Sequence, residues 1–206
     1  ISNASINLTK QFPIKNLTAE IKDLKNSDGK GIEIVFEKGS IYDLELADTI
    51  INLKRARNEI KINSLLRTKG KFNFSQIKKI SSLFGLDISD FNEINGTADL
   101  KTNINFNLDN RFRIKNPSYS MEGDIAYFEI HTDEKRIIKN YLPEYDPKII
   151  LKDTKIKLVN SESNYKAELS GYLKVNENFD SFKINKIYNY DKKSFHTNGV
   201  IDLTNS

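Results

Sequence analysis

From Asn95 to Leu108 the chain alternates without a break. Gly96, Ala98, Leu100, Thr102, Ile104, Phe106 and Leu108 fall on one side, and Thr97, Asp99, Lys101, Asn103, Asn105 and Asn107 on the other. A two-residue period belongs to a β-strand with one apolar and one wet face. At roughly 3.4 Å per residue the stretch spans about 45 Å, whereas strands in compact domains usually run ~3–10 residues. A strand of this length predicts an extended sheet rather than a small sandwich.

Tyr165, Ala167, Leu169, Gly171, Leu173 and Val175 alternate in the same way with Lys166, Glu168, Ser170, Tyr172 and Lys174, which predicts a second long strand. Shorter candidates are Ser5–Leu8, Leu17–Leu24, Ile32–Glu37, Ile41–Ala47, Ile50–Lys54, Glu59–Leu66, Lys71–Phe74, Tyr119–Ile130, Thr154–Val159, Phe182–Tyr188 and Val200–Leu203. Turns are predicted at Ser27-Asp28-Gly29, Lys38-Gly39, Arg57-Asn58, Lys69-Gly70 and Asn198-Gly199. The sum is a mostly β chain folded as an antiparallel meander.

Two places leave the two-residue period. Ser75 is a candidate cap for a short helix whose Ile77, Ile80 and Phe84 share one face, with Gly85 as its stop. Asp133–Tyr141 is the other, closed by Pro143. A polar residue followed by Gly at Asn95-Gly96, Glu122-Gly123, Ser170-Gly171 and Asn198-Gly199 reads as a recurring strand start. Such spacing suggests sub-repeats over 1–110 and 111–206 of one β-rich segment in a longer repeat-like protein.

Composition agrees with a half-wet sheet. Hydrophobic residues make up 38% of the 206 positions, below the ~45–50% of ordinary globular domains, and a sheet with one face in water needs fewer of them. Lys and Arg total 32 against 28 Asp and Glu. The small, interspersed excess offers no basic tract for nucleic acid, so Phe72, Phe74, Phe84, Phe91, Phe106, Tyr188 and Tyr190 are not read as base-stacking platforms.

The chain has no cysteine, so thiolate metal sites, disulfides and cysteine nucleophiles are excluded. Its two histidines, His131 and His196, are too far apart in sequence for a local metal-ligand motif. Asp87 with Asp90 and Asp133 with Glu134 read as caps and turns rather than an acid–base pair. Phosphate-loop, nucleophile-elbow and dinucleotide fingerprints are absent from the sequence. The expectation is a protein that is not an enzyme and takes no cofactor and no metal. The chain opens at Ile1 without an initiator Met and holds no run of ~18 apolar residues. It reads as a processed piece, with any membrane anchor outside it.

Several segments together resemble the AsmA-like proteins of the Gram-negative envelope, the large YhdP and TamB type. They are Phe12-Pro13-Ile14-Lys15-Asn16-Leu17-Thr18-Ala19-Glu20-Ile21, Gly31–Leu46, the Phe72–Phe84 strand-to-helix passage, Gly96–Leu108 and Tyr141-Leu142-Pro143. After Pro143 the Trp-Leu and Gly-rich continuation typical of that family is missing. The resemblance implies an elongated, twisted, taco-like antiparallel sheet with one or two short helices, whose concave face is an apolar groove. It further implies a periplasmic section of a lipid-transfer path that moves phospholipid between inner and outer membranes, anchored to the inner membrane through segments outside this chain. Envelope proteins are the protein partners it implies, and nucleic acid is none.

On that reading the groove residues are Ala98, Leu100, Ile104, Phe106 and Leu108 on the first long strand, and Ala167, Leu169, Leu173 and Val175 on the second. The rival expectation is a structural or adhesive β-repeat protein with a closed core, in which the same residues lie buried against a second sheet. An outer-membrane barrel is a third, disfavoured by irregular strand lengths and intervening helices.

Overall fold

The alternating segments form strands, and the strands form one sheet. The computed structural model describes residues 4–7, 13–22, 31–83, 91–132, 148–175 and 178–203. Its strands are β1 (Ala4–Asn7), β2 (Pro13–Lys22), β3 (Ile32–Ile41), β4 (Leu44–Ala56), β5 (Glu59–Asn73), β6 (Phe91–Asp109), β7 (Ile114–Thr132), β8 (Lys148–Asn160), β9 (Asn164–Val175), β10 (Asn178–Asn189) and β11 (Ser194–Asp202), with one helix, α1 (Phe74–Leu83), between β5 and β6. All eleven strands lie in one sheet in sequence order, each antiparallel to the next. β1 and β11 are its two edges, so the sheet is not closed into a barrel.

No second sheet is present among the described residues. The Cα atoms of each strand come within 8 Å only of its hydrogen-bonded neighbours, and those of α1 only of β5 and β6. The register keeps one strand's apolar side beside the next strand's, because a one-residue slip would turn a whole strand over. Yet some side chains are fully covered: Leu17, Thr49, Thr154 and Asp180 are less than 2% exposed. In a single layer that burial comes from the sheet bending about its own apolar face, which is therefore the concave one.

The bend has a local cause. Four strands carry an Asn or Asp in the left-handed region, at Asn16 (φ +52°), Asp48 (φ +46°), Asn116 (φ +49°) and Asp153 (φ +45°), the side chains that tolerate that conformation best after glycine. Each sits where the ladder skips: Lys15 to Thr18 in β2, Ala47 to Ile50 in β4, Lys115 to Ser118 in β7, and Lys152 to Lys155 in β8. These are β-bulges, which kink a strand and increase its twist.

In β4 and β8 the bulge is built from the same residues. Leu46, Asp48, Thr49, Ile51 and Leu53 match Leu151, Asp153, Thr154, Ile156 and Leu158 at identical spacing. The Thr49 hydroxyl donates to the Ala47 carbonyl (3.4 Å) and accepts from the Arg67 amide (3.3 Å), and that of Thr154 donates to the Lys152 carbonyl (3.2 Å). The side chain thus partners backbone groups that the bulge displaces. Crowding on the concave side is relieved by glycine. A Cβ at Gly171 would lie 2.5 Å from Thr154 Oγ1, and one at Gly123 (φ +156°) would lie 2.1 Å from the Asp99 carbonyl oxygen.

Several expectations about boundaries are corrected. Ile41–Ala47 and Ile50–Lys54 are not two strands: the chain turns at Tyr42-Asp43 and then runs unbroken through the Asp48 bulge as β4. Lys38-Gly39, Lys69-Gly70 and Asn198-Gly199 are interior to β3, β5 and β11, not turns, and Gly96, Gly123 and Gly171 also lie inside strands. Arg57-Asn58 is a turn as expected. Helix α1 is capped by Asn73 rather than Ser75: Asn73 Oδ1 accepts from the Gln76 amide (3.1 Å) while Gln76 Oε1 accepts from the Asn73 amide (3.0 Å), a reciprocal capping box. Gln76 Nε2 also donates to Asp43 Oδ2 (2.9 Å), tying the helix to the β3–β4 turn. The second expected helix, Asp133–Tyr141, and the Ser27-Asp28-Gly29 turn lie outside the described residues.

Thr49→Val is expected to cost about 1–2 kcal/mol, the usual penalty for a buried amide left unpaired, and Gly171→Ala to cost more. Urea denaturation reads both as lowered midpoints. An unchanged midpoint in Thr49→Val would show that the bulge is held without its hydroxyl.

Candidate functional site

The feature with functional potential is the concave face itself. One ladder of directly paired residues crosses nine strands without a charge: Gly39, Leu46, Thr68, Leu100, Gly123, Ile156, Leu169, Ile184 and Gly199. At about 4.8 Å per strand it extends ~38 Å across the sheet. A parallel ladder runs through Ile34, Ile51, Ser64, Ile104, Tyr119, Asn160, Tyr165, Tyr188 and Phe195.

The two groups of residues picked out on the long strands share this face although β7 and β8 separate them. Ala98 and Ala167 are buried, at 4% and 5% exposure. Leu100, Ile104, Phe106 and Leu108 on β6 and Leu169 and Leu173 on β9 are half-buried. Val175 is the last residue of β9, and its side chain lies outside the description. A closed core would have buried the large members of this set against a facing sheet. They instead keep part of their surface open to solvent, and all the described strands belong to one sheet.

The same face includes residues that sequence reasoning did not single out. Leu17, Ala19, Phe36 and Leu46 form its most buried cluster, with Ile34, Ile41 and Ile51 against it. Met121, Ile125, Ile156 and Leu158 bridge β6 to β9 through the register. Their alternation is present in the sequence but is cut by bulges, each of which shifts the period by one.

Where the second ladder reaches the β8–β9 and β10–β11 turns, the face becomes aromatic. Tyr119, Tyr165 and Tyr188 follow one another across the strands with Asn160 between the first two. Tyr190, in the turn after β10, donates its hydroxyl to Asn160 Oδ1 (2.6 Å) and packs edge-on against Tyr188 with ring centroids 5.3 Å apart. Burial pushes the Tyr165 phenol above its ordinary pKa, and Tyr190 adds to this; Tyr119 is raised by burial and by its neighbours Tyr165 and Tyr190.

The convex face is hydrated and held by charge pairs, such as Lys69 with Asp99 (3.0 Å) and Lys101 with Glu122 (3.6 Å), exposed contacts of small individual worth. Its densest cluster stands at the end of β7. Glu129 accepts hydrogen bonds from the Tyr127 hydroxyl and the Lys148 ammonium (3.0 Å), and the His131 Nε2 lies 2.9 Å from it. The Tyr127 and His131 bonds, reinforced by Lys148, hold the Glu129 carboxyl down at about 2. His131 thus belongs to a polar surface cluster, and His196 is exposed on β11. Asp87, Asp90, Asp133 and Glu134 lie outside the described residues. Among the described residues no group of three or more His, Cys, Asp or Glu is placed to hold a metal ion, and no helix is long and apolar enough to cross a membrane.

Comparison with protein-family models, with curated proteins and with solved structures finds no match to this chain. The fold alone assigns it to a class: a single-layer, open antiparallel meander with one apolar face.

The depressed pKa of Glu129 carries a sign. A carboxylate held below its ordinary value of 4.5 stabilises the folded state above that pH, and the contribution is lost as pH falls toward 2. Urea midpoints of the wild type and Glu129→Gln should therefore differ at pH 6 and converge by about pH 2. A constant gap would mean that the charge on Glu129 is not what stabilises the cluster.

Proposed function

We propose that this chain forms a section of a lipid-transfer groove in which the concave face shields phospholipid acyl chains from water. The observation that carries the reading is the nine-strand uncharged ladder from Gly39 to Gly199, partly open to solvent in a single sheet that is not closed into a barrel. Each exposed CH₂ costs ~0.8 kcal/mol in water, so a chain of ~16 carbons costs on the order of 12 kcal/mol. Isolated pockets would leave that cost in place between them, whereas a continuous apolar face lowers it along the whole path. An apolar face of this extent is itself a sign of an apolar partner.

The groove reading uses Ala98, Leu100, Ile104, Phe106 and Leu108, and Ala167, Leu169, Leu173 and Val175, as acyl-chain contacts. It needs no catalytic residue, cofactor or metal, because transport along a groove makes and breaks no covalent bond. The resemblance to AsmA-like envelope proteins supplies the compartment and direction of the proposal: the periplasm, with phospholipid moving between inner and outer membranes and with membrane attachment through segments outside this chain.

Photo-crosslinking side chains placed at Leu100 or Ile104 should capture phospholipid, whereas those at Asn103 or Asn105 on the convex face should not. Lipid recovered from both faces alike, or from neither, would sink the proposal.

A further inference from the structure

A lipid groove has to accommodate the polar end of its cargo as well as the tails, and on β10 the concave face sets a cation beside tyrosines. Lys186 of β10 occupies a concave-face position. It is paired with Ala167 of β9 and Thr197 of β11, and lies between Ile184 and Tyr188 along its own strand. The register is uninterrupted on both sides, so the placement follows from pairings at either end of the strand.

Its same-face neighbours on the two flanking strands, Tyr165, Ala167 and Leu169 on one side and Phe195, Thr197 and Gly199 on the other, include no acid. A lysine on an apolar face without a carboxylate in these positions is poorly suited to a core. It suits an anion brought in from outside.

The surroundings have the polarity gradient of an amphiphile. Tyr165 and Tyr188 pair with each other next to Lys186 on the side of the turns, with Tyr119, Tyr190 and Asn160 beyond them. Tyrosine suits a boundary with one apolar and one wet side, where its ring meets hydrocarbon and its hydroxyl meets polar atoms. On the other side lie Leu169 and Ile184, members of the uncharged ladder that continues into the rest of the face. Lys186 is three residues from the end of β10 at Asn189, or about 10 Å from the turn. A molecule with its charged end among the tyrosines would run its tail directly onto Leu169, Ile156 and Leu100.

We infer that Lys186, with the hydroxyls of Tyr165 and Tyr188, forms a subsite for the phosphate of a phospholipid, fixing the head at the tyrosine-lined margin while the acyl chains lie on the apolar ladder. Lysine binds phosphate as a point charge with three donors, and the phenols add neutral donors toward phosphate and ester oxygens. The inference rests on the lipid-groove reading and adds a preference to it: anionic head groups over uncharged lipids with the same tails.

The test uses the full chain with radiolabelled dioleoylphosphatidylglycerol, or with dioleoylglycerol, which has the same chains and no phosphate. The lipid that travels with the protein through gel filtration is counted. The wild type is expected to carry about tenfold more of the phospholipid, the scale of one charge-assisted contact. Lys186→Glu should abolish the preference and leave dioleoylglycerol uptake unchanged, Lys186→Arg should keep it, and Tyr165→Phe should reduce it about threefold.

Equal uptake of the two lipids by the wild type, or a preference undiminished in Lys186→Glu, overturns the subsite and leaves the groove standing. Uptake of neither lipid by the wild type overturns both. If Lys186→Glu takes up neither, Lys186→Gln is judged by the same criterion, and a preference retained there overturns the subsite.

Discussion

Among the described residues the sheet has no second sheet to press its apolar face against, and the rest of this structure follows from that constraint. In a sandwich the two inner faces interdigitate and bury each other. Here the only way to remove apolar surface from water is for the sheet to bend until neighbouring side chains on one face close over each other. The bulges at Asn16, Asp48, Asn116 and Asp153 let strands bend without leaving their ladders. Burial is consequently uneven: complete at Leu17, Thr49 and Thr154, partial at Leu100, Ile104 and Leu169. An apolar face that is bent yet still partly open is well suited to a mobile apolar guest, because side chains that never reach full packing leave room for it.

How much of this could be read from the sequence depended on whether the two-residue period survived. In β6 and β9 it runs clean, so Asn95–Leu108 and Tyr165–Val175 declared both their strand character and their apolar side. In β4 the Asp48-Thr49 step shifts the phase, and one strand reads as two. Glycine misled for a related reason. Gly70 and Gly199 stand in mid-strand, where a bent sheet has little space for a Cβ, yet in sequence the same residue marks a turn. The true turn at Tyr42-Asp43 has neither glycine nor proline to announce it. The position of Lys186 is not legible in the sequence, because alternation assigns lysine to the wet side by default and its register with Ala167 places it on the other.

The two faces differ in how they hold their residues. The convex side relies on exposed ion pairs and on the Tyr127–Glu129–His131–Lys148 cluster, contacts that depend on pH and salt. The concave side carries few charges, Arg55, Asp180 and Lys186 by the register, and depends on burial. These independent sources of cohesion allow residues on one face to change without disturbing the other. Opposed pairs such as Leu46–Thr68 and Gly123–Ile156 are accordingly set by the backbone register rather than by any salt bridge.

The plain up-and-down order of the strands has a mechanical consequence. Because each strand is bonded only to its immediate neighbours and the edges are the first and last strands, tension applied across the sheet from β1 to β11 loads the rows of hydrogen bonds as a zip fastener is loaded, a few at a time from one end. The resistance is then that of the weakest seam rather than the sum of all seams. Such a ribbon yields gradually, hairpin by hairpin, and the strands still joined keep their register while others part.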